Sequence, residues 1–218
     1  ITVVVPYMCY GRSDRKDQPR VPITARLVAD MTQVAGADRY ITMDLHAGQI
    51  QGFFSIPGDV LSGYHIIKPY LMDLLPNMNR PVMLTADLGF AKRGRRYAQA
   101  LNIPLAFIEK RRVDNEDHTE ALSIIGQVSG RDIILIDDEI DTGGSICEAV
   151  HLAKQYGAEE VYVVFVHPVL SANAVERLAS LPVKQFITTN TIPIPAEKKA
   201  LFGDRLTILS IGPLLGEV

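Results

Sequence analysis

The chain has 218 residues, 47% of them hydrophobic, and a formal net charge of −3. That is enough apolar surface for one large core or two small ones, and it gives no global attraction for nucleic acid. The apolar runs are strand-length, far short of a membrane span, and two cysteines in unrelated contexts, Cys9 and Cys147, suit free thiols in a reducing cytosol better than a disulfide framework.

The chain opens on ITVVVPY, which predicts a strand over 1–6 with no Met and no polar lead-in. No secretory signal is expected, and upstream residues are expected to be missing. Pro22 to Ala35 predicts a helix with Ile23, Leu27, Met31 and Val34 on one face and proline near its start. Further strands are predicted over 39–43, 81–86, 103–108, 132–136, 160–166, 183–188 and 206–210. They are rich in Val and Ile and mostly unbroken by polar residues, as in strands covered on both faces. Ser145 to Tyr156 predicts a helix that buries Ile146, Ala149, Val150 and Ala153 and ends at Gly157. Strands alternating with helices predict an α/β fold built from parallel βαβ units.

An internal echo runs through the pattern. VAGADRYITMDLH (34–46) and QYGAEEVYVVFVH (155–167) share a helix end, Gly-Ala, two charged residues, a strand and a histidine, with glycine and histidine ten residues apart in both. Duplication predicts two similar domains with a boundary near residue 65, after SIPGDVLSGY; the alternative is that any helix-to-strand junction reads this way.

The segment IILIDDEIDTGGS (133–145) joins a strand to acids and then to a glycine turn. Ligands of parallel sheets bind beyond the carboxyl ends of strands. Asp137, Asp138 and Asp141 can accept hydrogen bonds from sugar hydroxyls there. Thr142, Gly143, Gly144 and Ser145 form a loop whose N–H groups, with the start of the next helix, can hold a phosphate. The plainer alternative is an acidic turn with Ser145 as helix N-cap. In MDLHAGQIQGFF, Asp44 and His46 end a strand and can hold a divalent ion directly or through water; Ile50, Phe53 and Phe54 beyond them read as core or interface. TADLGFAKRGRR repeats strand, acid (Asp87), glycine and cationic helix start, with two or three of Lys92, Arg93, Arg95 and Arg96 read as a solvated face. IEKRRVDNEDHTE sets three cations at a strand end before a polar stretch, the kind of movable charge that phosphate transfer uses.

The DDEIDTGGS string resembles the phosphoribosyl-pyrophosphate fingerprint shared by phosphoribosyltransferases and ribose-phosphate pyrophosphokinases. Four further motifs resemble the second family alone: PYMCYGRSDRKDQPRVPITARLVADM (6–31), GADRYITMDLHAGQIQGFFSIP (36–57), IEKRR (108–112) and TNTIPI (189–194). Together they cover almost the whole chain in the family's order. The resemblance implies two tandem phosphoribosyltransferase-like domains with mainly parallel sheets flanked by helices. Residues 1–65 with 206–218 would be the remainder of the N-terminal domain and 66–205 the C-terminal domain, with an N-terminal segment and a closing C-terminal helix lacking.

The implied activity is transfer of the diphosphoryl group of ATP to ribose 5-phosphate, with Mg2+ as cofactor. The implied roles are Asp137, Asp138, Asp141, Thr142, Gly143, Gly144 and Ser145 for ribose 5-phosphate, Lys110 and Arg112 for catalysis, Arg12, Ser13, Asp14 and His46 for ATP, and His46 and Asp87 for metal. A cytoplasmic homo-oligomer of dimers grouped into hexamers is implied too, with no nucleic-acid or membrane partner. The chain departs from the family at Gly89-Phe90, where two adjacent glycines are usual, at Ser13 in place of Gln, at Gly48 in place of Ser and at Val60 in place of Asn. The fingerprint alone leaves a phosphoribosyltransferase as an alternative, and the abrupt start leaves a regulatory homologue or inactive fragment.

Overall fold

A computed structural model describes residues 1–16, 18–86, 89–112 and 120–218, the side chains of 110–112, 120 and 121 excepted. The described chain divides into two compact units, Ile1–Gly63 and Tyr64–Val218.

The first unit holds three parallel strands in the order β1 (Thr2–Val5), β2 (Arg39–Met43), β3 (Gly58–Leu61). Helix α1 (Thr24–Val34) and a 3-10 helix, Gly48–Phe53, connect them. The core gathers Met8, Ala25, Ala29, Tyr40, Leu45, Ile50 and Phe54, with the Tyr40 and Phe54 rings stacked at 3.9 Å. Ile50 and Phe54 are therefore core. The apolar stripe expected of α1 is not its buried face. Ala25 and Ala29 pack inward, where their small side chains let the helix lie against the 3-10 helix, while Leu27, Met31 and Val34 are exposed.

The second unit is a seven-stranded sheet in the order β10-β9-β8-β7-β4-β5-β6. In chain order its elements are α2 (Tyr64–Leu74), β4 (Val82–Thr85), α3 (Ala91–Leu101), β5 (Leu105–Arg112), β6 (Glu120–Ile125), β7 (Ile133–Ile140) and α4 (Gly144–Gln155). There follow β8 (Val161–Pro168), α5 (Ala174–Ala179), β9 (Gln185–Thr189), α6 (Ala196–Phe202), β10 (Leu206–Leu209) and α7 (Gly212–Gly216). All neighbours are parallel except β5 and β6. Both faces are covered, which explains the unbroken apolar strands. Ile133 and Leu135 pack with Ile146, Ala149, Leu178 and Phe202 on one side, and Ile134 and Ile136 with Ile67, Leu71, Tyr97 and Leu101 on the other.

Three boundaries differ from the sequence expectation for identifiable reasons. Residues 206–218, expected with the first domain, fall in the second unit, because Leu206–Leu209 pairs along β9 from Phe186 to Thr189. Strand β7 runs through its acids to Ile140, since its ladder to β8 continues from Asp137↔Phe165 to Ile140↔Pro168. Strand β5 runs through Lys110 to Arg112, opposite Leu122 and Glu120, so those cations lie within a hairpin strand rather than beyond a strand end.

Candidate active site

The sheet order reverses between β4 and β7. From β4 the chain steps to β5 on one side, then returns to β7 on the other and moves outward through β8, β9 and β10. Such a reversal leaves a crevice at the carboxyl ends of the two strands, the place where open α/β sheets bind ligands. The β4–β7 ladder stops at Thr85↔Ile136, so the acids of β7 begin where its β4 neighbour ends.

Strand alternation would put Asp137 on the face of Ile133 and Leu135 and Asp138 on that of Ile134 and Ile136, whereas Ile140, the last residue of the strand, packs with Ile133 and Leu135. The acids are tied to their own backbone: the Asp138 N–H donates to Asp137 Oδ1 at 2.8 Å and the Glu139 N–H to Asp138 Oδ1 at 2.9 Å. Asp138 is buried, and Arg93 Nη1 of α3 stands 3.6 Å from its Oδ2. The same guanidinium lies 5.6 Å from the centre of the Phe90 ring. One member of the cationic helix start therefore serves a carboxylate of the strand end, and Arg96 packs over Tyr64 at 3.9 Å. Lys92 and Arg95 are exposed, as a solvated face requires.

Past Ile140 the chain turns through Asp141 and Thr142 to Gly143, which has φ 78° and caps α4. A left-handed residue at that point favours glycine, and a Cβ there would also lie 3.5 Å from Leu178 Cγ. The first ladder bond of α4 runs from the Cys147 N–H to the Gly143 carbonyl at 3.0 Å. No side chain caps the helix and its first turn holds no acid. The N–H groups of Gly144, Ser145 and Ile146 precede that ladder, with the positive end of the helix behind them. This corrects the reading of Ser145 as N-cap: it lies one turn position inside the helix and is exposed, as is Thr142. An oxyanion fits this nest; burial, opposed by Arg177, pushes the nearby Cys147 thiol up and makes it a poor nucleophile.

The first unit has its own cluster at the carboxyl ends of β1 and β2. Asp44 adopts φ 38°, and its carboxylate accepts the Ser62 hydroxyl at 2.9 Å and the Gly63 N–H. It thus ties β2 to the exit of β3. His46 beyond it is exposed. The turn before α1 passes this histidine, since a Cβ on Gly11 would lie 3.8 Å from His46 Cβ. In that turn Arg12 is exposed, Ser13 bonds through its backbone to Tyr10 and Ala25, and the Asp14 carboxylate accepts the Gln49 amide. The four residues expected at ATP are therefore neighbours within one unit. Asp87 lies outside the described residues, as do the side chains of Lys110 and Arg112. Among the described residues no three His, Cys, Asp or Glu side chains converge, and no helix is long and apolar enough to cross a membrane.

Two family profiles match the chain. The N-terminal domain of ribose phosphate pyrophosphokinase matches residues 1–36, and the phosphoribosyl synthetase-associated domain matches residues 115–218. The ribose-phosphate pyrophosphokinase of Clostridium acetobutylicum is 45% identical over 217 residues, covering 100% of this chain and 67% of the relative. That of Caldanaerobacter subterraneus is 46% identical with the same coverage. The chain belongs to the ribose-phosphate pyrophosphokinase family. The crystal structure of phosphoribosylpyrophosphate synthetase from Mycobacterium smegmatis superposes with a TM-score of 0.90 at 40% identity, over 100% of this chain and 69% of that one.

Within this ribose-phosphate pyrophosphokinase frame, two contributors escaped the sequence. Arg93 stands in a run of cations that reads as surface, and only the adjacency of the β4 and β7 ends shows its carboxylate. Ser171 lies in VLSANA, which carries no motif, yet its N–H donates to the Asp141 carbonyl at 3.0 Å and its hydroxyl to Asp141 Oδ1. The departure at Phe90 is also explained: the side chain is buried in the core between α2, α3 and the sheet, and its residue caps α3.

Proposed function

We propose that the chain transfers the diphosphoryl group of ATP to the 1-hydroxyl of ribose 5-phosphate, giving phosphoribosyl pyrophosphate and AMP. The segment Asp137–Ser145 carries this reading: a carboxylate row at the β4/β7 reversal leads directly into a glycine-capped helix start. The relatives named ribose-phosphate pyrophosphokinase support it over a phosphoribosyltransferase.

In this reading Asp137, Asp138 and Asp141 accept hydrogen bonds from the ribose hydroxyls. Thr142, Gly143, Gly144 and Ser145 hold the 5-phosphate through main-chain N–H groups and hydroxyls. The ribose O1 attacks the β-phosphorus, the bond from that phosphorus to the α–β bridging oxygen breaks, AMP leaves, and the hydroxyl proton passes to solvent. Lys110 and Arg112 meet the charge that develops on the transferring phosphates, so catalysis is alignment plus electrostatics. Arg12, Ser13, Asp14 and His46 bind ATP, Ser13 with a shorter reach than glutamine.

Magnesium, when bound, neutralises the nucleotide phosphates. By the resemblance, His46 and Asp87 are the residues that would hold it, directly or through water. An imidazole and a carboxylate suit an ion that keeps several waters and takes its other ligands from phosphate oxygens; Asp44 is committed to Ser62 and Gly63.

The two units are read as parts of two tandem phosphoribosyltransferase-like domains. The proposed assembly is a homo-oligomer of dimers grouped into hexamers, and the exposed Leu27, Met31 and Val34 support it as apolar surface to cover. Two free cysteines suit the cytosol.

The test is incubation with magnesium, ATP and labelled ribose 5-phosphate in the absence of any nucleobase. AMP and phosphoribosyl pyrophosphate in equal amounts are expected, and no AMP contradicts the proposal. Lys110→Ala is expected to cut turnover by about a hundredfold or more with ribose 5-phosphate affinity unchanged; unchanged turnover removes Lys110 from the assignment.

A further inference from the structure

We infer that Ser171 is a positioning residue for the sugar-phosphate site, holding Asp141 at both its main chain and its side chain from a turn anchored by His167. The inference rests on the proposed function, because it assigns a task to a residue that reading leaves unused.

Strand β7 and its ladder to β8, which set the direction of the chain, end at Ile140, one residue before Asp141. The turn after β8 takes over that role. The Leu170 N–H donates to the Ile140 carbonyl at 2.9 Å, and the Ser171 N–H to the Asp141 carbonyl at 3.0 Å. The Ser171 hydroxyl then donates to Asp141 Oδ1. Two of these bonds, both from Ser171, fix the carbonyl and the carboxylate of Asp141, and the third holds the peptide carbonyl just before it. A carboxylate has two oxygens and about four lone-pair directions, so the serine donor takes up only part of its capacity.

The turn that carries Ser171 is itself constrained. Leu170 and Ala172, on either side of the serine, both adopt φ 48°, a left-handed conformation that non-glycine residues hold only when their surroundings determine it. Leu170 is buried, and the Lys198 ammonium donates to its carbonyl at 2.6 Å. At the root of the turn, His167 is buried beside Glu139 in the β7–β8 register. Its Nδ1 lies 3.0 Å from Thr191 Oγ1, and Thr191 and Thr189 both donate to the Val166 carbonyl. The TNTIPI motif thereby gains a structural task. Its threonines pin the end of β8, from which the turn reaches across to Asp141. Buried polar groups are tolerated only when bonded in this way.

Calorimetric titration of ribose 5-phosphate into wild type, Ser171→Ala and Ser171→Thr decides the matter, with ATP titrated alongside. The expected result is affinity for ribose 5-phosphate about tenfold weaker in Ser171→Ala, the range for a lost hydrogen bond to a charged group, with Ser171→Thr within about threefold of wild type and ATP affinity unchanged in both. Wild-type binding with no weakening in Ser171→Ala overturns the inference and leaves the proposed function standing. Equal weakening for both ligands, or failure of threonine to restore binding, reduces Ser171 to a structural residue and also overturns it. A wild-type protein that binds no ribose 5-phosphate overturns the proposed function, and the inference falls with it.

Discussion

Two helix-to-strand junctions in this chain are built alike and end differently. At the first, Gly36 N–H donates to Gln33 and Ala37 N–H to Thr32; at the second, Gly157 donates to Lys154 and Ala158 to Ala153. Both glycines have positive φ, 99° and 83°, and both junctions use the same paired capping bonds. Ten residues on, the likeness stops. Strand β2 ends at Met43, Asp44 turns the chain, and His46 is exposed. Strand β8 lies between β7 and β9 and continues through His167, which is buried. Both strands are central in their sheets, so local sequence sets the junction, whereas the reach of the flanking ladder, which ends at Met43 for β2 and runs through His167 for β8, decides whether the histidine meets solvent or core. The same residue type is exposed in one case and helps hold the sheet in the other.

The largest effect expected from this contrast is at the buried histidine. His167→Ala opens a cavity in the sheet and takes a partner from Thr191, and is expected to cost roughly 3 kcal/mol, read as a lower midpoint in urea. His46→Ala should leave that midpoint unchanged while turnover falls. Equal loss of stability at both positions breaks the comparison.

A smaller effect separates the two glycines. Gly157→Ala is expected to cost about 2 kcal/mol and Gly36→Ala about 1 kcal/mol. Both force a Cβ into left-handed backbone, but at Gly157 the Cβ would also lie 2.9 Å from Ser129 Oγ, while Gly36 faces open space. The same urea titration measures both, and an equal cost would show that Ser129 moves aside without resistance.

The smallest effect is chemical. Cys9 is exposed, whereas Cys147 is partly buried with its thiol pushed above the ordinary range. A limiting dose of maleimide at neutral pH should label Cys9 first, with Cys147 reacting only as pH rises toward its own deprotonation. Labelling of both at one rate would place Cys147 in a more open environment than its packing implies.

These contrasts also mark what the sequence could reveal. Strands covered on both faces announce themselves as apolar runs, and β2 appears with both bounds as read. The short β3 does not, because GDVL offers two apolar residues inside a stretch rich in glycine and proline. Strand β6 was missed because EALSII follows a polar segment and forms an antiparallel edge. The acids of β7 were legible as an acidic row at a strand end, but not as part of the strand, since main-chain pairing to β8 leaves no trace in side-chain polarity. The face of α1 was misread because hydrophobicity outranks size in a periodic pattern, while close packing chose Ala25 and Ala29. Arg93 and Ser171 could not be read at all, because their partners are brought near only by strand order.

The central claim is that ribose 5-phosphate sits on the acids and glycine turn that join β7 to α4. Crystals of the protein soaked with ribose 5-phosphate test it most directly. The account predicts density with the phosphate on the main-chain N–H groups of Gly144, Ser145 and Ile146 and the ribose hydroxyls on Asp137, Asp138 or Asp141. Density for the sugar phosphate at any other place, with that turn bare, contradicts it.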